Sequence, residues 1–329
     1  MKTIIYSIRD FERPWLLDAN KRGHELTLTT EALNAETARL AEGHEAVVVF
    51  TADDLSAPVI AELHHLGLRY IAIRAAGYDN IALDSIKTLG MRCANVPAYS
   101  PFAVAEHAAA LILALNRKLI LADRQVHAYN FTVDQLLGFD LHQKTVGIIG
   151  TGRIGSVMAR IMNGFGCRLL GYDPVPDNTL VSKYQMQYTD LQTICRQADI
   201  ITLHSPLNSA THHLIGKDLI AMMKPGMMLI NTARGSIIDT AAVLAALDNG
   251  TIGALGIDVY EHEKGLFFYD RSATPPDDPM LARLLDLPNV IVTPHQGFAT
   301  EEALHNIADT TFYNLNTWAE GQHSANEII

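Results

Sequence analysis

The sequence predicts an α/β fold of two parallel-sheet domains with a cleft between them, and three observations predict it. Short β-branched runs alternate with amphipathic stretches along both halves of the chain, the pattern of strands covered by helices on both faces. A glycine-rich turn joins one such run to a helix-like stretch near mid-chain. The 329 residues, 48% of them hydrophobic, exceed the length of most single domains and can fill more than one core.

Taken in order, residues 3–6, 46–51, 70–74 and 91–96 read as strands, with helices at 57–66 and 83–89. After Pro97 and Pro101 an apolar stretch from 102 to about 121 reads as one long helix. Glu106, His107, Asn116, Arg117 and Lys118 are its polar interruptions, and it is suited to bridge two domains or two subunits. A second series of strands follows at 145–149, 168–172, 200–203, 228–231, 254–258 and 290–293. Residues 265–279, rich in Asp, Pro, Ser and aromatics, read as an exposed loop, and 301–320 as a helix.

Charge and cysteine usage narrow the function class. Lys and Arg total 25 against 36 Asp and Glu, a formal charge of -11 with no basic concentration, so nucleic acid is not an expected partner. Cys93, Cys167 and Cys195 lie far apart, show no Cys-x-x-Cys spacing and fit a reducing compartment. The apolar start of the chain is ended by Arg9, Asp10, Glu12 and Arg13, short of a signal-peptide core, and no uncharged run reaches spanning length. A cytoplasmic protein with no membrane partner is expected. No cluster of ligating residues has metal-site spacing, so no metal is expected either.

The strand at 145–149 runs into Gly150-Thr151-Gly152-Arg153-Ile154-Gly155 and a helix-like stretch. In that setting Gly150 makes the tight turn, Gly152 admits a pyrophosphate to the backbone, and Gly155 permits close packing of helix on strand. Exposed N–H groups and the helix dipole then hold the phosphates. Eighteen residues beyond Gly155, the strand at 168–172 ends in Asp173. A carboxylate there accepts from ribose hydroxyls and repels a 2′-phosphate, which favours NAD over NADP.

Three later segments place polar residues at or just past apolar strands: Asn231-Thr232-Ala233-Arg234-Gly235, the run from Asp258 to Glu263, and Thr293-Pro294-His295-Gln296-Gly297. Reduction of a 2-keto acid needs a cation for the carboxylate and carbonyl, a proton donor for the developing alkoxide, and a group that keeps the donor charged. Arg234 offers a bidentate fork that orients the substrate and polarises its carbonyl. His295 is the acid in reduction and the base in oxidation. Glu263 beside it favours the imidazolium form and fixes the ring tautomer. Singly, each of these residues reads more readily as a surface or packing residue; their combination carries the reading.

At these residues the sequence resembles the D-isomer-specific 2-hydroxyacid dehydrogenases over essentially its whole length. The matching pieces are RAAGYDN (74–80), NVPAYSPFAVAEHAAALILAL (95–115), VGIIGTGRIG (146–155), HSPL (204–207), MKPGMMLINTARGSIID (223–239), GIDVYEHE (256–263) and LPNVIVTPHQGF (287–298). The run from Glu263 to Asp270 and the stretch from Tyr99 to Glu106 resemble the fermentative D-lactate dehydrogenase branch, and Lys264 stands where other branches usually have proline. The resemblance implies two Rossmann-like or flavodoxin-like domains: a discontinuous substrate domain from 1–99 plus 298–329, and an NAD-binding domain from 100–297. It implies hinges near 97–100 and 294–298, and a homodimer or homotetramer contacting through the apolar helix after Pro101. It implies reversible reduction of pyruvate to D-lactate by NADH; a bulkier 2-keto acid, or an NAD(H)-sensing corepressor of the same fold, are the alternatives. For the substrate it implies the N–H groups of Ala76 and Gly77 at the carboxylate, with Tyr99 and Phe298 lining the pocket beside Arg234 and His295. For NAD it adds Arg153 and Ile154 at the pyrophosphate, Pro206 and Thr211 on the adenosine side, Thr232, Ala233 and Arg234 along the nicotinamide, and Asp258 at the carboxamide. His107 and His204 are expected to serve structure.

Overall fold

The computed structural model describes residues 1–79 and 81–329; Asn80, the last residue of RAAGYDN, lies outside the described residues. The chain divides into two compact units, Met1–Ser100 with Ala299–Ile329, and Pro101–Phe298. Each is built on a parallel sheet, the α/β class that the alternation predicts.

In the first unit the strands are β1 (Lys2–Ile5), β2 (Glu25–Leu28), β3 (Ala46–Val49), β4 (Tyr70–Ile73) and β5 (Arg92–Ala94). Their order, β2-β1-β3-β4-β5, is the flavodoxin-like order. Three short helices connect them: α1 (Arg13–Ala19), α2 (Ala57–His65) and α3 (Leu83–Thr88). The central strands are buried on both faces, so β3 reads Ala-Val-Val-Val without alternation. One face packs against Leu33, Ile60 and Leu63. The other is covered from the far end of the chain by a helix at Glu301–Ala319, whose Phe312, Leu315 and Trp318 pack on Ile5, Val48 and Ala72. Thr300 caps that helix by accepting from the Ala303 N–H, and Glu301 and Glu302 in its first turn suit the dipole.

The second unit contains β6 (Thr145–Ile149), β7 (Arg168–Tyr172), β8 (Gln187–Tyr188), β9 (Ile200–Leu203), β10 (Met227–Asn231), β11 (Ile252–Ile257) and β12 (Val290–Val292). Its helices are α4 (Pro101–Asn116), α5 (Leu119–His127), α6 (Arg153–Gly164), α7 (Asn178–Tyr184), α8 (Leu191–Gln197), α9 (Lys217–Ile220), α10 (Thr240–Asp248) and α11 (Pro279–Asp286). The order β12-β11-β10-β9-β6-β7-β8 is that of a Rossmann-like sheet, with the strand order reversing between β6 and β9. Ligands of open α/β sheets bind at such a reversal, outside the carboxyl ends of the strands.

The structure departs from the sequence reading at strands β2 and β8 and along the long helix. Strand β2 escapes it because its residues alternate between exposed and half-buried at the sheet edge, leaving no apolar run. The expected helix at 102–121 is two helices, because Lys118 takes a left-handed φ of 50°. Asn116, at the break, donates its amide to the Phe139 carbonyl at 2.7 Å and accepts from the Phe139 N–H at 2.9 Å, binding the segment beyond α5 to the end of α4. The apolar content of α4 is explained by the core of its own unit, where Ala105, Ala108, Leu111, Ile112 and Leu115 pack on Val146 and Ile230.

Candidate active site

The carboxyl ends of the second sheet bring together most of the residues singled out in the sequence. Gly150 follows β6 with φ 88°, a left-handed turn in which a Cβ would overlap the backbone of His204 at the end of β9. A Cβ on Gly155 would overlap the Gly150 carbonyl, so α6 rests directly on the turn. Gly152, the N-cap of α6, differs: its missing side chain faces open space, and no side chain caps the helix. Helix α6 buries Gly155, Met158, Ala159 and Met162, one face at helical spacing, and its start, which no side chain caps, follows β6 at the reversal of the sheet. Asp173, after β7, accepts from the Thr151 N–H at 2.8 Å, holding its carboxylate beside the glycine turn.

Two polar atoms at this edge are buried without a partner among the described residues, Thr232 Oγ1 after β10 and His204 Nδ1 after β9. Orphaned buried groups are costly in a finished core and ordinary in a site that completes itself with a ligand. An uncapped helix start, open space over Gly152, a carboxylate one strand away and two unspent polar atoms fit a dinucleotide.

The acid–base residues stand on the adjoining strand ends. His295 Nδ1 lies 2.8 Å from Glu263 Oε1, and the other oxygen of Glu263 accepts from the Tyr260 N–H at 2.9 Å. The carboxylate therefore accepts a hydrogen bond from Nδ1–H, and Nε2 makes no hydrogen bond among the described residues. Both side chains are mostly covered, at 16% and 26% exposure. His295 has a left-handed φ of 56°, a conformation a non-glycine residue keeps only where its surroundings impose it. Arg234 follows β10; Asn231 donates its amide to the Arg234 carbonyl at 2.8 Å, and Gly235 lies so close to the Tyr260 backbone that a Cβ would overlap it. The arginine loop is thus packed against the segment that carries Glu263.

Asp258, after β11, does more than the sequence foretold. Its Oδ1 accepts from the Thr293 hydroxyl at 2.6 Å and the Gln296 N–H at 2.9 Å, and its Oδ2 from the Gly297 N–H at 2.8 Å. His107 of α4 reaches the same carboxylate at 3.2 Å and Thr293 at 3.0 Å. Burial opposes the charge on Asp258, but the bonds from His107, Thr293 and Gln296 outweigh it and hold the carboxyl below its usual range. This cluster fixes the loop on either side of His295.

The sheet order, the glycine turn and the acid–base pair describe a nucleotide-binding oxidoreductase, and residues 109–297 match the family described as D-isomer specific 2-hydroxyacid dehydrogenase, NAD binding domain. The chain belongs to that family. A relative in Escherichia coli (strain K12), D-lactate dehydrogenase, is 42% identical over 100% of both chains. Among solved structures, the pyruvate reductase of Chlamydomonas reinhardtii superposes with a TM-score of 0.93 at 41% identity, covering 99% of this chain and 98% of that one. D-lactate dehydrogenase from Aquifex aeolicus, complexed with NAD and lactic acid, superposes with a TM-score of 0.88 at 33% identity over 97% and 96% of the two chains. The chain is an NAD-dependent 2-hydroxyacid dehydrogenase.

The other residues predicted for this dehydrogenase are divided between the two units. Ala76, Gly77 and Tyr99 are in the first unit, where the Ala76 carbonyl accepts from the Asn95 amide at 2.8 Å and the Tyr99 carbonyl from that of Asn306 at 2.6 Å. In the second unit the Thr211 hydroxyl donates to the Pro206 carbonyl at 2.6 Å, closing its own loop. Ile154 packs on the core behind α6, and Arg153 opens that helix. Desolvation pushes the half-buried His204 imidazole down to about 4. Phe268 went unnoticed in the sequence although its ring lies 5.6 Å from that of His295 and 6.5 Å from that of Phe298. A second carboxylate–histidine pair, Glu261 with His213 at 2.5 Å, also went unnoticed; its other oxygen accepts from the Thr240 N–H at the start of α10.

Proposed function

We propose that the chain is a D-lactate dehydrogenase, reversibly reducing pyruvate, and the observation that carries this is the Glu263–His295 pair, which leaves Nε2 for a substrate oxygen. NADH, when bound, supplies the hydride. His295 delivers the Nε2 proton to the keto oxygen as negative charge develops there, and takes it back in the oxidative direction. Glu263 stabilises the imidazolium that carries the Nε2 proton and, once that proton has gone, holds the neutral ring in the Nδ1–H tautomer, with Nε2 ready to take the proton back. The guanidinium of Arg234, on the loop packed against this segment, orients the substrate carboxylate and polarises the carbonyl before transfer. Asp258 keeps the loop bearing His295 in register, and NAD rather than NADP follows from the carboxylate of Asp173 at the glycine turn.

The same reading takes a homodimer or homotetramer, supported by a run of exposed apolar side chains beyond the helix break: Leu119, Val126, Tyr129, Phe131, Val133 and Leu137. It takes a cytoplasmic location, supported by three buried free cysteines. No helix among the described residues is long and apolar enough to cross a membrane.

The test is initial rates with NADH and a panel of 2-keto acids, followed by chiral analysis of the product. Pyruvate giving the D isomer is expected. Formation of L-lactate, or a kcat/KM highest for phenylpyruvate or 2-ketoisocaproate, would overturn the assignment.

A further inference from the structure

Phe267 and Phe268 are neighbours in the loop after Glu263, and the backbone sends them to different places. Phe267 packs on the main apolar cluster of the second unit. Phe268 has a φ of 68°, a left-handed conformation that bulky L residues disfavour. It brings the ring to 5.6 Å from the His295 imidazole at an interplanar angle of 39°, and to 6.5 Å from Phe298 at 54°. His295 is itself left-handed. Two backbone strains thus meet in one ring contact, from loops 27 positions apart in the numbering, beside the carboxylate that holds the imidazole. Strain of this kind persists where the fold over-determines it, and it concentrates at functional sites.

The hydrogen bond to Glu263 anchors the imidazole at Nδ1 alone, and a ring held at one atom can still tilt about that bond. An aromatic ring inclined at 39° against the imidazole restricts that tilt, and the transfer of a proton from Nε2 depends on the aim. We propose that Phe268 is a positioning and specificity residue: its ring fixes the setting of the His295 imidazole and, with Phe298, forms an aromatic wall that favours 2-keto acids with a small side chain. This rests on the acid role of His295 proposed above and extends it to the selection of substrate.

Glycine separates the backbone from the ring, because it accepts a φ of 68° without penalty. Phe268→Gly therefore keeps the loop and deletes the wall, Phe268→Leu keeps bulk without a flat face, and Phe268→Tyr restores the ring. For Phe268→Gly the expected result is an unchanged or higher Tm, unchanged NADH affinity, and a kcat for pyruvate lower by about tenfold, the scale of one lost ring contact. The ratio of kcat/KM for pyruvate over phenylpyruvate should also fall about tenfold, with Phe268→Leu between the extremes and Phe268→Tyr close to the parent. Phe268→Gly with kcat and the ratio both retained overturns the proposal, as does equal loss for both keto acids accompanied by a lower Tm. The ring protons of His295 in an NMR spectrum give a readout independent of turnover. A ring-current shift present in the parent and averaged out in Phe268→Gly supports the positioning role, and an identical spectrum refutes it. A parent that reduces no keto acid would defeat the D-lactate reading, and the spectrum would still decide the contact.

Discussion

His295 gains its chemistry from what is attached to Nδ1. The carboxylate of Glu263 is held in turn by the Tyr260 N–H, so the proton donor, its counter-charge and the backbone form one chain of bonds. Glu263→Gln keeps a hydrogen-bonding group and removes the charge; kcat for pyruvate reduction should fall by about a hundredfold while NADH still binds. His295→Ala should lose at least as much, and near-parent turnover in either variant would place the acid elsewhere. His204 behaves differently because burial pushes it from 6.5 down to about 4. Between those values the unfolded chain carries a proton there that the folded chain does not, so stability rises with pH through the window. This contribution is complete above the unfolded value and lost as pH falls toward the folded one. A plot of Tm against pH should slope across that range in the parent and flatten in His204→Asn; equal slopes would show that another group titrates. The Glu263–His295 pair was legible in the sequence because both residues follow apolar strands whose carboxyl ends share one edge. Phe268 was not, since the sign of its φ decides where the ring goes and the sequence Leu-Phe-Phe-Tyr does not reveal which phenylalanine is core.

At the scale of elements, the legible parts were those whose burial writes itself into composition. Strands β6, β7 and β9 fall where the apolar runs at 145–149, 168–172 and 200–203 place them, because neighbours cover both faces. Edge strand β2 and the two-residue β8 lack that signature. The break between α4 and α5 escaped detection because a left-handed lysine, with no glycine or proline, supplies it. The glycine turn was readable in full, and its tightest contact carries a prediction. In Gly155→Ala the new methyl must push α6 away from the Gly150 carbonyl, at a cost of about 2 kcal/mol. The displaced helix start should weaken NADH binding by about tenfold or more, loosening its hold on the phosphates. Fluorescence titration and thermal melting measure the two effects, and a variant unchanged in both would mean that the helix does not rest on the turn.

For the whole molecule, the exposed apolar run beyond the helix break sets the expectation for assembly. Light scattering should give the parent the mass of a dimer or tetramer, and Phe131→Asp combined with Leu137→Asp should reduce it to that of one chain. A parent that is already monomeric, or a double variant of unchanged mass, would move the interface to another surface. Residues 101–298 form a unit from one uninterrupted stretch, whereas the first sheet awaits the helix that carries Phe312, Leu315 and Trp318. On the ribosome the early strands must therefore remain with one greasy face bare while the intervening residues are made, on the order of ten to forty seconds. The helix made after residue 298 would then complete the domain whose strands precede residue 101, which makes those nascent strands a natural client for chaperones.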